Sequence, residues 1–216
     1  GLTLPKSLDL KILHKFDNAY YAWGQVVLPY SLTIDKFEKH PNHTLNVWSH
    51  EFGHAIFNES MGKLNSQWND LKFAMALIMP LYNEQEKLAA QLQEENDPFK
   101  IIEIKSRLKT LVGKMQEIEM TFADAFKLND VAKSYNEFFA DIIAVTYSNR
   151  GDAVYDALFR TGLGFEFNNS ITARDFTHRA NELSKWNPSQ NDLEIHNSLA
   201  PARYHVWKYY LDNPIY

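Results

Sequence analysis

There is no cysteine anywhere in the 216 residues. That removes disulfides, thiolate zinc sites and cysteine nucleophiles together. It leaves the compartment open, with a lean towards a secreted or periplasmic setting. No apolar run approaches the ~20 residues of a membrane span. No long Lys/Arg block is present and the formal net charge is -5, which argues against a general nucleic-acid binder. With 45% apolar residues and an ordinary charged fraction, the chain has material for a core and no signature of disorder. It begins at Gly1 rather than Met, as an excised or processed fragment would, so the lack of a signal peptide carries no information. The length suits one large domain, 1–216, carrying an elaborate insertion.

What is present is organised around Trp48-Ser49-His50-Glu51-Phe52-Gly53-His54-Ala55-Ile56. It contains His-Glu-x-x-His. On a helix, positions i and i+4 share a face, so His50 and His54 can offer two ring nitrogens to one zinc ion at roughly 2.0–2.1 Å each. Glu51 follows His50 directly and is placed to reach a water on that metal as general base, without being a ligand. The plainer reading is an exposed helix that happens to carry two histidines.

The flanking chain divides by texture. Leu8, Leu10 and Ile12 alternate, which fits a short strand or a helical turn. Asn18 to Pro29 reads as strand, turn and strand around Gly24, with Pro29 at a strand end or an edge. An edge strand just before a zinc helix is placed to pair with an extended peptide; an ordinary core hairpin fits equally well. Residues 31–43 are polar and charged, with Pro41-Asn42 marking a loop. Thr44 or Asn42 is the expected N-cap of the zinc helix and Gly62 its stop. Leu45, Trp48, Phe52, Ala55 and Ile56 form its apolar stripe.

From about 66 to 126 the texture becomes long polar helix. Ile101, Ile104, Leu108, Leu111, Met115, Ile118, Phe122 and Ala125 step by three and four, a heptad seam. Leu71, Ala74, Ile78, Leu81, Gln85, Leu88 and Leu92 repeat it less cleanly, with Pro80 expected to kink or break that arm. Glu94 to Pro98 is a turn between the two. The spacing predicts an antiparallel helical hairpin, either a simple packed insertion or a surface for a protein partner. Beyond it, Tyr135 to Val145 reads as a mostly apolar, hence buried, helix that carries Glu137 and Asp141 four residues apart. Buried carboxylates cost several kcal/mol unless paired or coordinated; zinc and a ligating histidine would explain them. A short helix is expected near Asp152–Phe159, an amphipathic one over Asp175–Trp186, and a last one over Pro201–Leu211.

A catalytic zinc site needs three protein ligands and an open position. A third histidine would require Gly at 57 and His at 60, where this chain has Phe57 and Ser60, and the aspartate variant fails there too. A glutamate from a second helix remains, and Glu137 is best placed.

With Asn136-Glu137-Phe138-Phe139-Ala140-Asp141 downstream of the first motif, the chain resembles the gluzincins, the thermolysin-like branch of the zincin metallopeptidases. The resemblance covers roughly 18–62 and 130–148, and departs in the long interval from His54 to Glu137. It implies an α+β, mostly helical fold: a zincin-like catalytic domain with a small N-terminal sheet and edge strand, into which the hairpin is inserted. It implies one catalytic zinc on His50, His54 and Glu137, with Glu51 activating water to hydrolyse peptide or protein substrates. Asp141 would hold the far nitrogen of His50, with Asn136 beside it. Asn18 and Ala19 would meet the substrate. Such enzymes usually add an oxyanion-stabilising side chain, for which His196, Arg203 and Tyr204 are the candidates. The plainer alternatives are that His196 caps the last helix and Arg203 makes a surface ion pair. His14, His40, His43 and His178 read as surface or structural.

Two other functions compete. A carboxylate-bridged di-metal protein would use Glu51-x-x-His54 with Asp175-x-x-His178 as its second pair. A non-catalytic protein-binding module would use the hairpin and keep the zinc as a structural ion.

Overall fold

The computed structural model describes residues 2–14, 18–22, 24–39, 41–161, 174–179, 182 and 199–213. It is mostly helical, with a small three-stranded sheet. The chain divides into two compact units, one of Gly1–Ser60 with Ala132–Tyr216, the other of Met61–Val131.

In the first unit, β1 (Asp9–Leu13), β2 (Tyr20–Ala22) and β3 (Gln25–Pro29) form a sheet in the order β1-β3-β2. β1 runs parallel to β3 in the register Asp9 to Gln25, and β2 runs antiparallel to it with Tyr21 opposite Val26. As the central strand, β3 buries Val26, Val27, Leu28 and Pro29 in succession, which explains its unbroken apolar run. The turn between β2 and β3 holds Gly24 at φ +100°, a conformation that favours glycine. Pro29 ends its strand, where a missing N–H costs nothing. Val26 and Leu28 pack with Leu32, Val47 and Ala157, so the sheet lies on the helix that carries His50 and His54 and on a later short one.

Residues 31–39, read as polar and charged, form a π-type turn (Ser31–Lys36) and a single helical turn, α1 (Phe37–Lys39), and Pro41-Asn42, expected as a loop, instead open the next helix. The motif helix is α2 (Pro41–Leu64). It starts earlier than the expected caps at Asn42 or Thr44, because proline suits a first helical position whose N–H has no partner in any case. Phe52, expected in the apolar stripe, is 38% exposed, while the face holding His50, Glu51 and His54 is buried.

α5 (Ala123–Ser148) absorbs the end of the expected seam and the Glu137 helix into one element. It is not buried all round: Val131, Tyr135 and Tyr147 face solvent while Ala140, Asp141, Ala144 and Val145 are covered. α6 (Ala153–Thr161) and α7 (Ala200–Asp212) fall where short and final helices were expected. The helix expected over Asp175–Trp186 is not there in its first part: residues 174–179 form turns, with Asp175 Oδ1 accepting from Thr177 N at 2.8 Å. Its remainder lies mostly outside the described residues.

The second unit holds α3 (Ser66–Glu94) and α4 (Pro98–Thr121). Asn65 and Asp97 cap them, each accepting from a backbone N–H two residues on at 2.9 Å. Gly62 does not stop α2; Asn69 Nδ2 donates to its carbonyl at 2.9 Å, where a Cβ would crowd the Asn69 side chain. Pro80 sits inside an α3 that continues past it. Leu71, Ala74, Ile78 and Leu88 of α3 and Ile104, Leu111 and Met115 of α4 are buried, the stripes that the heptad spacing picked out.

Candidate metal centre

The centre starts from a close helix crossing within the first unit. A Cβ on Gly53 would lie 2.6 Å from Ala140 Cα, so only glycine lets α2 and α5 approach this closely. Gly53 lies between the two motif histidines and Ala140 between Glu137 and Asp141. The crossing therefore brings the two pairs face to face.

His50 Nε2 lies 3.0 Å from His54 Nε2 and 3.4 Å from Glu137 Oε2, and His54 Nε2 lies 3.5 Å from Glu137 Oε1. A tetrahedral ion with bonds of about 2.0–2.1 Å requires its ligand atoms to be about 3.3 Å apart, which is the size of this triangle. The three residues form the one group among the described residues that could hold a metal ion.

Hydrogen bonding sets the tautomers. His54 Nδ1 lies 2.9 Å from Asn136 Oδ1, and His50 Nδ1 lies 2.9 Å from Asp141 Oδ1. Both partners are acceptors, so each ring carries its proton on Nδ1 and turns a bare Nε2 lone pair inwards. Burial, the largest effect, and the neighbouring His50 push the His54 pKa down, keeping that ring neutral and able to ligate. Two lone pairs and a carboxylate at these distances repel one another unless a cation lies among them.

Glu51 is 4% exposed, and its Oε2 has no hydrogen-bond partner among the described residues. Burial pushes its pKa up to about 7, against the opposing pull of His54 and of the Tyr21 backbone N–H. That N–H comes from β2, so the edge of the sheet adjoins the carboxylate.

Asp141 is fully buried. Arg203 donates through Nε to its Oδ2 at 2.8 Å, and Arg174 donates through Nη2 to its Oδ1 at 2.6 Å. Burial pushes the Asp141 carboxyl up, but Arg174 and Arg203 outweigh it and hold the group far below the usual carboxylate range. Asp141 therefore owes its charged state to two arginines, not to a metal and a histidine alone as expected.

Arg174 was not anticipated. Phe176, fully buried against Val145 and Ala153, anchors its segment, and Phe176 N donates to Gly151 O at 2.9 Å. Two residues upstream, Arg174 Nη2 sits 3.0 and 2.9 Å from the two nitrogens of His50. Near-equal distances place it against the ring and not along either lone pair. The excess of buried carboxylates on α2 and α5 was the available signal for a further cation, but periodicity could not say which one.

Of the oxyanion candidates, Arg203 is wholly buried on Asp141, which also rules out a surface ion pair. Tyr204 packs edge-on against His205. His196 lies outside the described residues. Asn18 is exposed, its Oδ1 accepting from Ala19 N at 2.9 Å, and Ala19 packs on the sheet core just ahead of β2. His43 pairs with Asp156 at 3.4 Å and His14 stacks on Tyr30, while His40 is outside the described residues. Asp175 and His178, the second pair of the di-metal alternative, are absent from the metal-capable group.

No family model matches the chain, and neither the curated proteins nor the solved structures contain a match to it.

Proposed function

We propose that this protein is a zinc-dependent peptidase of the gluzincin kind, with His50, His54 and Glu137 as ligands in a zincin-like domain. The observation that carries the proposal is the convergence of two bare imidazole lone pairs and a carboxylate on one point, beside a buried Glu51 with a free oxygen. Zinc bound there supplies Lewis acidity, polarising the scissile carbonyl and acidifying water. Glu51 takes a proton from the attacking water and passes it to the leaving amine. A carboxyl raised to about 7 can both accept and return a proton near neutrality. Asp141 and Asn136 hold the two imidazoles in the ligating tautomer. The edge strand β2, with Asn18 and Ala19 leading into it, offers backbone groups to an extended peptide.

The test is zinc content and cleavage of a mixed peptide library by wild type and Glu51→Gln. Stoichiometric zinc in both, with cleavage reduced about 10²–10⁴-fold in the variant, is the expected result. A variant that keeps its zinc and cleaves at the wild-type rate overturns the mechanism.

A further inference from the structure

Asp141 gathers more positive charge than one carboxylate neutralises. Arg203 engages its Oδ2 through Nε and Nη2, at 2.8 and 2.7 Å. Arg174 crowds the other oxygen through Nε and Nη2 at 3.1 and 2.6 Å, where His50 Nδ1 also lies 2.9 Å away. Among the described residues, the remaining acids of the cluster are Glu51 and Glu137. Among the described residues, three carboxylates set against two guanidiniums and a divalent ion leave one positive charge over.

That surplus sits on the side chain a ligand can reach. Arg174 is 10% exposed, comparable with His50, His54 and Glu137 at 8%, 9% and 16%, whereas Asp141 and Arg203 are at 0%. Arg174 therefore keeps some solvent access next to His50 and Glu137, whereas Arg203 has none. Arg174 Nη2 is 2.9 Å from His50 Nε2. A metal held on that nitrogen at about 2.0–2.1 Å is no more than about 5 Å from the guanidinium. Two cations this close repel strongly in a poorly solvated site, and an anion that touches both relieves the repulsion. Nε and Nη2 of Arg174 already face Asp141, so the outer edge of the guanidinium, with Nη1, is what it can turn to a carboxylate.

We propose that Arg174 binds a carboxylate of the substrate beside the metal, so that the preferred peptides carry a free carboxylate next to the scissile bond. This rests on the zinc-peptidase reading. The group has two sources, the C-terminal α-carboxylate of a peptide or an Asp/Glu side chain.

The experiment measures binding and not turnover. The zinc-loaded full chain is titrated calorimetrically with N-acetyl-phenylalanine, its uncharged amide, and N-acetyl-aspartic acid α-amide. At least one carboxylate is expected to bind tenfold or more tightly than the uncharged amide, and the gap is expected to close in Arg174→Gln at unchanged zinc content. A lead for acetyl-phenylalanine assigns the α-carboxylate and a carboxypeptidase-like preference; a lead for the aspartyl compound assigns an acidic side chain. Equal binding of all three overturns the proposal. So does a gap that survives in Arg174→Gln, since the carboxylate then sits on the metal alone. Arg174→Lys keeps the charge should the Gln variant misfold; it is expected to shrink the gap at least threefold, and an unchanged gap counts against the site. A chain that shows the Arg174-dependent gap but cleaves nothing refutes the peptidase reading and leaves the carboxylate site standing. One that cleaves without any gap refutes the site alone.

Discussion

The helices of the two units bury opposite kinds of side chain. α3 and α4 cover Leu71, Ala74, Ile78, Leu88, Ile104, Leu111 and Met115, and their ion pairs, such as Arg107–Glu84, stay in solvent. The α2 and α5 crossing covers His50, Glu51, His54 and Asp141, with Arg174 and Arg203 drawn in from later segments. The hairpin is held by area removed from water, which needs no particular partner. The other unit holds charges whose desolvation is offset only while every partner is present. One region should therefore tolerate substitution by degrees, and the other should fail when a single member is lost.

Metal removal tests this contrast most severely. Chelation should abolish cleavage and lower the stability of the first unit by about 4 kcal/mol relative to zinc at a thousandfold excess over its dissociation constant. Hydrogen exchange should speed up at α2 and α5 and stay unchanged at α3 and α4. Uniform loss of protection across both units would erase the distinction.

Asp141→Asn comes next. It removes the carboxylate that the buried Arg174 and Arg203 share, and a cost of about 3–5 kcal/mol is expected in denaturant unfolding. Leu111→Ala in the hairpin should cost about 2–5 kcal/mol, with zinc affinity unaltered. If Leu111→Ala weakens zinc binding as much as Asp141→Asn does, the two kinds of core are not separate.

Acid should separate them as well. The Asp141 carboxyl is depressed in the folded chain, so its stabilisation is complete above the ordinary aspartate pKa of about 3.9 and fades as pH falls below it. In zinc-free protein, near-UV circular dichroism should show a loss below that pH that is absent from Asp141→Asn.

The smallest effect belongs to the hairpin surface. Arg107 and Glu84 meet at 3.0 Å but are 53% and 44% exposed. Arg107→Ala should cost roughly 0.2–1 kcal/mol at low salt and nothing measurable at high salt.

How far each region could be read in advance follows the same division. The hairpin's stripes, its turn at Glu94 to Pro98 and its caps are local, since each depends on residues three or four positions apart or on a neighbouring turn. The seam was misplaced only at its end, where Phe122 and Ala125 continue the spacing although the helix is interrupted between Thr121 and Ala123. The strands either side of Gly24 were legible for a similar reason, while the parallel pairing of β1 with β3 was not, because a register between distant segments leaves no local trace. In the candidate centre, His50, Glu51, His54, Glu137 and Asp141 stood out as paired chemistry on two helices.

The order of residues along the chain settles which helices carry ligating and acidic side chains, because i to i+4 spacing puts them on one face whatever the rest of the protein does. Folding in three dimensions settles which faces meet. Gly53 against Ala140 brings histidines and carboxylates to within 3.5 Å, and Phe176 under Gly151 delivers Arg174 from the edge of a segment whose pattern pointed to a helix and not to this site. Charge balance depends on distance in space, not separation in sequence, so the second arginine on Asp141 emerges only once the chain is folded.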